Sequence, residues 1–299
     1  MSAVTFATAQ VLRVLPRATL GKAIGRVAEL PWPGPLGRAV VGLYARAYDV
    51  RLDECADHDW PSFDAFFTRR LRAGIRAVDR DPRTVASPAD GHVTSIRPID
   101  ARGKFLVKGR PYSVAELVGD QREAERFLGG SACVVYLSPR DYHRVHAPVS
   151  GVIRRIRSIP GDCFPVNDVG VRHIPRLFCR NRRVAIEIDS HDAFPGRVTV
   201  VMVVAMVVGR ITTTGVEGRD VPFGDHAFDP PLAVVRGEEI GVFHLGSTIV
   251  VLVEGDAVGE QRVGEDGVVR YGQALMRASL GRSPVANGVD WRHEEGGGG

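Results

Sequence analysis

The sequence predicts an α+β protein: a β-rich core with amphipathic helices at its N-terminus. Three observations lead there. The apolar runs in the middle of the chain are short and rich in β-branched valine, the composition of buried strands. The 34 glycines and 19 prolines favour many short elements joined by turns over a helical bundle. Sustained helical periodicity with a charged opposite face is concentrated in residues 1–50. At 299 residues, 44% hydrophobic and 25% charged, the chain can bury a sizeable core and has the balance of a globular protein.

Residues 1–50 alternate helical segments with breakers. Pro16 opens the first segment, where Leu20, Ile24, Val27 and Ala28 share a face opposite Lys22, Arg26 and Glu29. Pro31-Trp32-Pro33-Gly34-Pro35 interrupts the pattern. Leu36, Val40, Leu43, Tyr44, Ala47 and Tyr48 then form a second stripe against Arg38, Gly42, Arg46 and Asp49. Six basic side chains face two acidic ones in this region and the rest of the chain balances, so the whole formal charge of +4 sits here. Two such helices either pack on a core or lie in a membrane interface, with basic groups toward headgroups and Trp32 at the boundary. The charge by itself suits anionic lipid and nucleic acid equally.

From residue 51 the pattern changes. A short amphipathic helix is expected around Phe63 to Leu71, followed by strands at Val134 to Leu137, Val184 to Ile188, Val198 to Val208, Ile240 to Phe243 and Thr248 to Val253. Val198 to Val208 is the longest apolar run, about half of the ~20 residues a spanning helix needs, so no segment is expected to cross a membrane. Cys55, Cys133, Cys163 and Cys179 form no C-x-x-C pair and no zinc-ribbon spacing. With no secretory signal, a reducing cytosol is the expected compartment. Residues 294–299, Glu-Glu-Gly-Gly-Gly-Gly, are expected to be a disordered tail.

Three clusters offer chemistry. Ser87-Pro88-Ala89-Asp90-Gly91-His92 reads as a turn with an acid at its tip, and Asp before Gly is ordinary turn usage. Tyr136-Leu137-Ser138-Pro139-Arg140-Asp141-Tyr142-His143-Arg144-Val145-His146 places two histidines three residues apart. They share a face if helical and oppose each other if extended, and they suit acid–base work or metal ligation. Leu245-Gly246-Ser247-Thr248 runs into an apolar strand. It is either a glycine-hinged strand entry or a place where the Ser247 hydroxyl attacks the unobstructed Gly246 carbonyl.

On these motifs, with G-D-x-F-x-V-N at 161–167, the chain resembles the bacterial phosphatidylserine decarboxylases, pyruvoyl-dependent enzymes made as proenzymes. Phe63 to Leu71, Lys108-Gly109 with Tyr112-Ser113, and Pro175 to Arg183 add weaker matches. The likeness runs from about residue 36 to residue 255, and the N-terminal helices match in character only.

The resemblance implies self-cleavage between Gly246 and Ser247, with Ser247 becoming a pyruvoyl group that decarboxylates phosphatidylserine to phosphatidylethanolamine through a Schiff base. It implies His146 as base and Asp90 as its orienting carboxylate. His143 is implied at the substrate for proton transfer, and Phe164 and Phe178 as lining for the lipid. The implied layout is a membrane-associating region at 1–50 and a decarboxylase domain at 51–293, cut into 1–246 and 247–299 that remain together as a heterodimer. The implied partners are bilayer phosphatidylserine and an anionic membrane surface at the cytoplasmic face of the cell membrane, bound peripherally, with no nucleic acid and no metal. Two alternatives stay open. One is a zinc hydrolase using His143, His146 and Asp90 or His92, which leaves Ser247 without a task. The other is a non-catalytic lipid-binding module.

Overall fold

The computed structural model describes residues 17–192, 196–206, 210–255 and 260–277. The start of the basic segment and the tail expected at 294–299 lie outside the described residues.

Two helices come first, α1 (Arg17–Glu29) and α2 (Gly34–Tyr48), followed by the short α3 (Phe63–Phe67). Strands β1 (Thr84–Ala86) and β2 (Gly91–Pro98) lead to the hairpin of β3 (Lys104–Val107) and β4 (Arg110–Ser113), then α4 (Val114–Val118) and α5 (Gln121–Glu125). Next come β5 (Ser131–Leu137), β6 (Arg144–His146), β7 (Gly151–Ile159), α6 (Asp168–His173) and α7 (Leu177–Arg180). The run β8 (Arg183–Ser190), β9 (Arg197–Val204), β10 (Arg210–Thr213), β11 (Gly224–Val234), β12 (Glu239–His244) and β13 (Ser247–Val253) builds most of the sheet structure. Short strands β14 (Glu260–Gln261), β15 (Val268–Val269) and β16 (Ala274–Arg277) follow.

The main sheet is eight-stranded and antiparallel, in the order β11-β7-β8-β9-β13-β5-β2-β15. Every residue of β9 and β13 is buried, which explains why their sequences are continuous apolar runs rather than alternating ones. A second sheet, β10-β12-β6, carries the histidine motif. The α+β, β-rich expectation holds. Observed strands extend the expected ones by one to three residues at most ends, while β9 stops at Val204.

The helix expected at Phe63 to Leu71 is shorter. Ser62 caps it by accepting from the Ala65 amide, and it ends at Phe67, where Thr68 leaves helical backbone and its hydroxyl shares the Asp64 carbonyl at 2.8 Å. Leu71 instead bridges Cys55 in extended pairing.

Helix α2 buries a different face from its apolar stripe. Gly37, Val41 and Ala45 are buried, and Val41 and Ala45 pack with Trp60 and Phe66. Leu36 and Leu43 stand 55% and 73% exposed. Small residues let the helix approach the body closely, so Leu36 and Leu43 are left facing out, while Tyr44 of the stripe packs inward on Phe63 and Phe66.

Because β13 sits between β9 and β5, with Ile249 aligned to Met202 and Val135 and fully buried, Ile249→Ala should cost about 2–5 kcal/mol. Urea unfolding of the two proteins, each carrying Ser247→Ala, measures it.

Candidate active site

Ser247 is the first residue of β13, level with Val204 on one side and Leu137 on the other. It is 1% exposed, and its hydroxyl has no hydrogen-bond partner among the described residues. Buried hydroxyls without a partner among these residues also occur at Ser131, Thr199, Thr213 and Thr248, and what sets Ser247 apart is its place directly after a short crossing between strands. Two residues, Leu245 and Gly246, connect it to β12. Leu245 has φ 86°, a left-handed backbone that costs a residue with a Cβ about 1–2 kcal/mol. One side of Gly246 is open, since a Cβ there would meet no atom within 4 Å.

The histidine motif is extended, not helical, and the two imidazoles have separate surroundings. His143 is fully buried, with its ring 4.0 Å from that of Phe67. Its Nδ1 donates to the Asp141 carbonyl at 2.8 Å, and its Nε2 has no partner among the described residues. Burial, assisted by the Arg69 charge, pushes its pKa down to about 3. The His143 carbonyl accepts from the Phe243 amide at 3.0 Å, which ties this residue to β12 close to the Leu245–Gly246 crossing.

His146 pairs with Glu239, four residues back along β12 from Phe243 and away from Ser247, or about 13 Å of strand. Its Nδ1 donates to the Gly237 carbonyl at 2.8 Å, and its Nε2 lies 3.1 Å from the Tyr142 hydroxyl. With Nδ1 carrying the proton, Nε2 is the acceptor. Burial lowers the pKa of His146, against the Gly237 bond and the charges of Glu239 and Asp90, which raise it.

Asp90 is at a turn tip, as the motif suggested, but its partners are Arg76, at 2.6 Å, and the Tyr271 amide, at 2.9 Å. Arg76 also donates to Glu54 at 2.5 Å. The Tyr271 ring stacks on His146 with centroids 3.9 Å apart. Asp90 therefore reaches His146 through Tyr271. In this conformation no hydrogen bond joins Asp90 to His146 or His146 to Ser247. Gly91, next to Asp90, does more than make a turn: a Cβ there would sit 2.4 Å from the Tyr136 carbonyl oxygen of β5.

A cavity of about 360 Å³ lies against the sheet, lined by His92, Lys108, Tyr136, Asn167, Phe178 and Thr248 among others. Phe178 is on its wall, whereas Phe164 is buried away from it, with its amide and carbonyl bonded by the Asn181 side chain. Thr248 and Ser247 point to opposite faces of the sheet, so the serine hydroxyl is directed away from this cavity. Asn167 also caps α6 by accepting from the Gly170 amide. Of the wall residues, His92, Lys108, Tyr136, Asn167 and Thr248 were missed as such by sequence reasoning, although all five lie within the motifs it quoted. A smaller cavity, about 230 Å³, adjoins Asp90, Arg69 and Tyr142.

Among the described residues no three His, Cys, Asp or Glu side chains gather in a metal-binding cluster. His143 and His146 use their Nδ1 atoms on backbone carbonyls and face different surroundings, so the zinc-hydrolase alternative lacks its donor set.

The chain's class is that of a decarboxylase, a carboxy-lyase. A family model described as phosphatidylserine decarboxylase matches residues 63–277, and the chain belongs to that family. Three relatives carry the name phosphatidylserine decarboxylase proenzyme. That of Myxococcus xanthus (strain DK1622) is 37% identical over 89% of this chain and 96% of the relative. That of Anaeromyxobacter sp. (strain K) is 36% identical over 90% and 97%. That of Acinetobacter baumannii (strain SDF) is 38% identical over 88% and 93%.

The buried neutral imidazole of His143 makes stability depend on pH. Below its ordinary value of 6.5 the unfolded chain takes up a proton that the folded chain refuses until about pH 3. Stability is therefore full above pH 6.5 and falls as pH drops through that window. In the Ser247→Ala background, His143→Gln should flatten the fall in melting temperature between pH 6.5 and pH 4, measured by thermal denaturation.

Proposed function

We propose that this chain is a phosphatidylserine decarboxylase proenzyme that cuts itself between Gly246 and Ser247, leaving residues 1–246 and 247–299 and converting Ser247 to a pyruvoyl group. The observation that carries this is the buried, unpartnered Ser247 hydroxyl beside a two-residue crossing whose first residue is held left-handed. Attack of Oγ on the Gly246 carbonyl carbon forms an ester and breaks the C–N bond, and the hydroxyl proton passes by way of a base to the freed amine. Removal of the Ser247 Cα proton expels the Gly246 carboxylate. Hydrolysis of the resulting dehydroalanine releases ammonia and leaves the ketone. The open side of Gly246 and the absence of a competing partner for Oγ both suit this chemistry.

The pyruvoyl group supplies a ketone that captures the substrate amine and accepts the electron pair left by departing CO₂. Around it the chain positions and protects. Freed at its N-terminus, residue 247 can turn about Thr248 toward the 360 Å³ cavity, where Lys108 and Asn167 meet a polar headgroup and Phe178 meets apolar atoms. His143 is proposed to relay the proton at the reacting carbon: its buried Nε2 is a free acceptor and must take up a proton from the site before passing it on. The small chain stays bound because β13 is paired along its whole length on both edges.

In maturation, His146 is proposed as base, with Nε2 left basic by the Gly237 bond, and Asp90 as the group that holds it through Tyr271. The attack then requires His146 and Ser247 to approach from their present separation. A second reading is favoured by the link between His143 and Phe243: His143, being nearer the loop, acts as base for cleavage, and His146 only braces the site.

The N-terminal helices are proposed as a membrane foot. Val27, Leu30, Leu36 and Leu43 are exposed on segments that also carry Arg26, Arg38 and Arg46. Among the described residues no helix is long and apolar enough to cross a membrane. Apolar insertion with basic flanks gives peripheral binding to anionic lipid, and the cytoplasmic face of the cell membrane is the proposed location.

Two experiments follow. On denaturing gels, wild type should divide into two chains and Ser247→Ala should remain at 32.4 kDa. Asp90→Asn and His146→Ala should slow division by at least tenfold, while His143→Ala divides normally and loses CO₂ release. Division blocked in His143→Ala alone would establish the second reading. Separately, Leu36→Asp with Leu43→Asp should weaken co-sedimentation with anionic vesicles several-fold and leave division unchanged. Equal sedimentation would move the membrane contact to the β-rich body.

A further inference from the structure

The loop that holds the proposed scissile bond is fixed at both ends by interactions that the chemistry above does not use. Downstream, Ser247 is locked into β13 between two strands. Upstream, His244 ends β12, where Nδ1 donates to the Asp64 carboxylate at 2.8 Å and Nε2 accepts from the Thr212 hydroxyl at 3.3 Å. Asp64 belongs to α3 and is itself braced by Arg210 at 2.8 Å, which reaches Glu29 of α1 at 2.7 Å. Only Leu245 and Gly246 span the gap between these anchors, and the Leu245 side chain is buried in the main core. A residue with a Cβ keeps a left-handed backbone only where its surroundings overdetermine it.

We propose that Asp64, acting through His244, holds the upstream end of the crossing taut, so that the strained backbone of Leu245 favours transfer of the Gly246 acyl group from nitrogen to Ser247 Oγ. The proposal rests on cleavage at Gly246–Ser247. In the peptide, one atom, the nitrogen, separates the Gly246 carbonyl carbon from the Ser247 Cα. In the ester there are two, Oγ and Cβ. The Oγ–C bond forms, the C–N bond breaks, and the hydroxyl proton ends on the amine. The added atom lengthens the tether between fixed anchors, and Leu245 relaxes. Asp64, His244 and Leu245 are thus positioning residues for self-cleavage with no part in decarboxylation.

The test separates backbone strain from side-chain packing. Glycine adopts a left-handed backbone without penalty and asparagine with a small one, whereas alanine retains the Cβ and the strain. Cleavage rates of freshly purified precursor, followed by gel, should fall about fivefold to thirtyfold for Leu245→Gly, less for Leu245→Asn, and little for Leu245→Ala. Asp64→Asn should slow cleavage and add nothing to Leu245→Gly. Precursors that also carry Ser247→Ala report folding by melting temperature, and Leu245→Asn carries the comparison if the glycine variant is unstable. Variants left to finish cleavage should decarboxylate with unchanged kcat/KM, because Leu245 is then next to a chain end.

Equal slowing by alanine and glycine would make packing the cause and overturn the proposal, as would a Leu245→Gly rate equal to wild type. If wild type retains an intact Gly246–Ser247 bond and still decarboxylates, the underlying cleavage reading fails instead.

Discussion

Strand β13 pairs along all seven of its residues with β9 on one edge and β5 on the other, and the geometry around Ser247 follows from that double pairing. The strand cannot slide or tilt without breaking two ladders, so its first residue is fixed in space. The chain must reach that residue from β12, in a different sheet, in two steps. A left-handed leucine and a glycine open on one side are the result. The same pairing would let a cut immediately before the strand leave most of the sheet intact, because the pairing of residues 248–253 with β9 and β5 does not involve the peptide between Gly246 and Ser247.

The second constraint is the way β6 separates the two histidines. An extended backbone turns residues three apart to opposite sides. One imidazole therefore lies in a dry pocket against Phe67 and beside Arg69, and the other is stacked on Tyr271 with Tyr142 at its acceptor nitrogen. Dryness suits a group that handles a proton where water would compete. A stacked ring with one tautomer fixed by a carbonyl suits a group that must present a basic nitrogen. Two chemically distinct tasks for neighbouring histidines are thus consistent with their surroundings, and the register along β12 sets which one lies nearer the loop.

Much of this was legible in the sequence, and the exceptions have physical reasons. The valine runs of β9 and β13 announced buried strands, because a strand covered on both faces has no polar positions to alternate. The turn at Asp90 and the glycine before Ser247 were readable as local chemistry. The partners of Asp90 were not, since Arg76 and the Tyr271 amide arrive from distant parts of the chain and no spacing rule links them. The histidine motif left helix and strand open, and the pairing of β6 with β12 decided for extended backbone. In α2 the apolar stripe was visible, but the buried face turned out to be Gly37, Val41 and Ala45: close approach to Trp60 and Phe66 favours small side chains over large ones. Asp64 and His244, 180 residues apart, carried no signal at all.

Formation of the reactive group from Ser247 would be written in the mass of the C-terminal chain. Purified protein incubated at neutral pH is denatured, and the fragment 247–299 is weighed intact and after borohydride reduction. The expected fragment is lighter by one ammonia than the same residues with a free N-terminal serine and gains two hydrogens on reduction, and Ser247→Ala gives no such fragment. A fragment of the unmodified mass, or an uncut chain that still releases CO₂ from phosphatidylserine, would contradict formation of the group from Ser247.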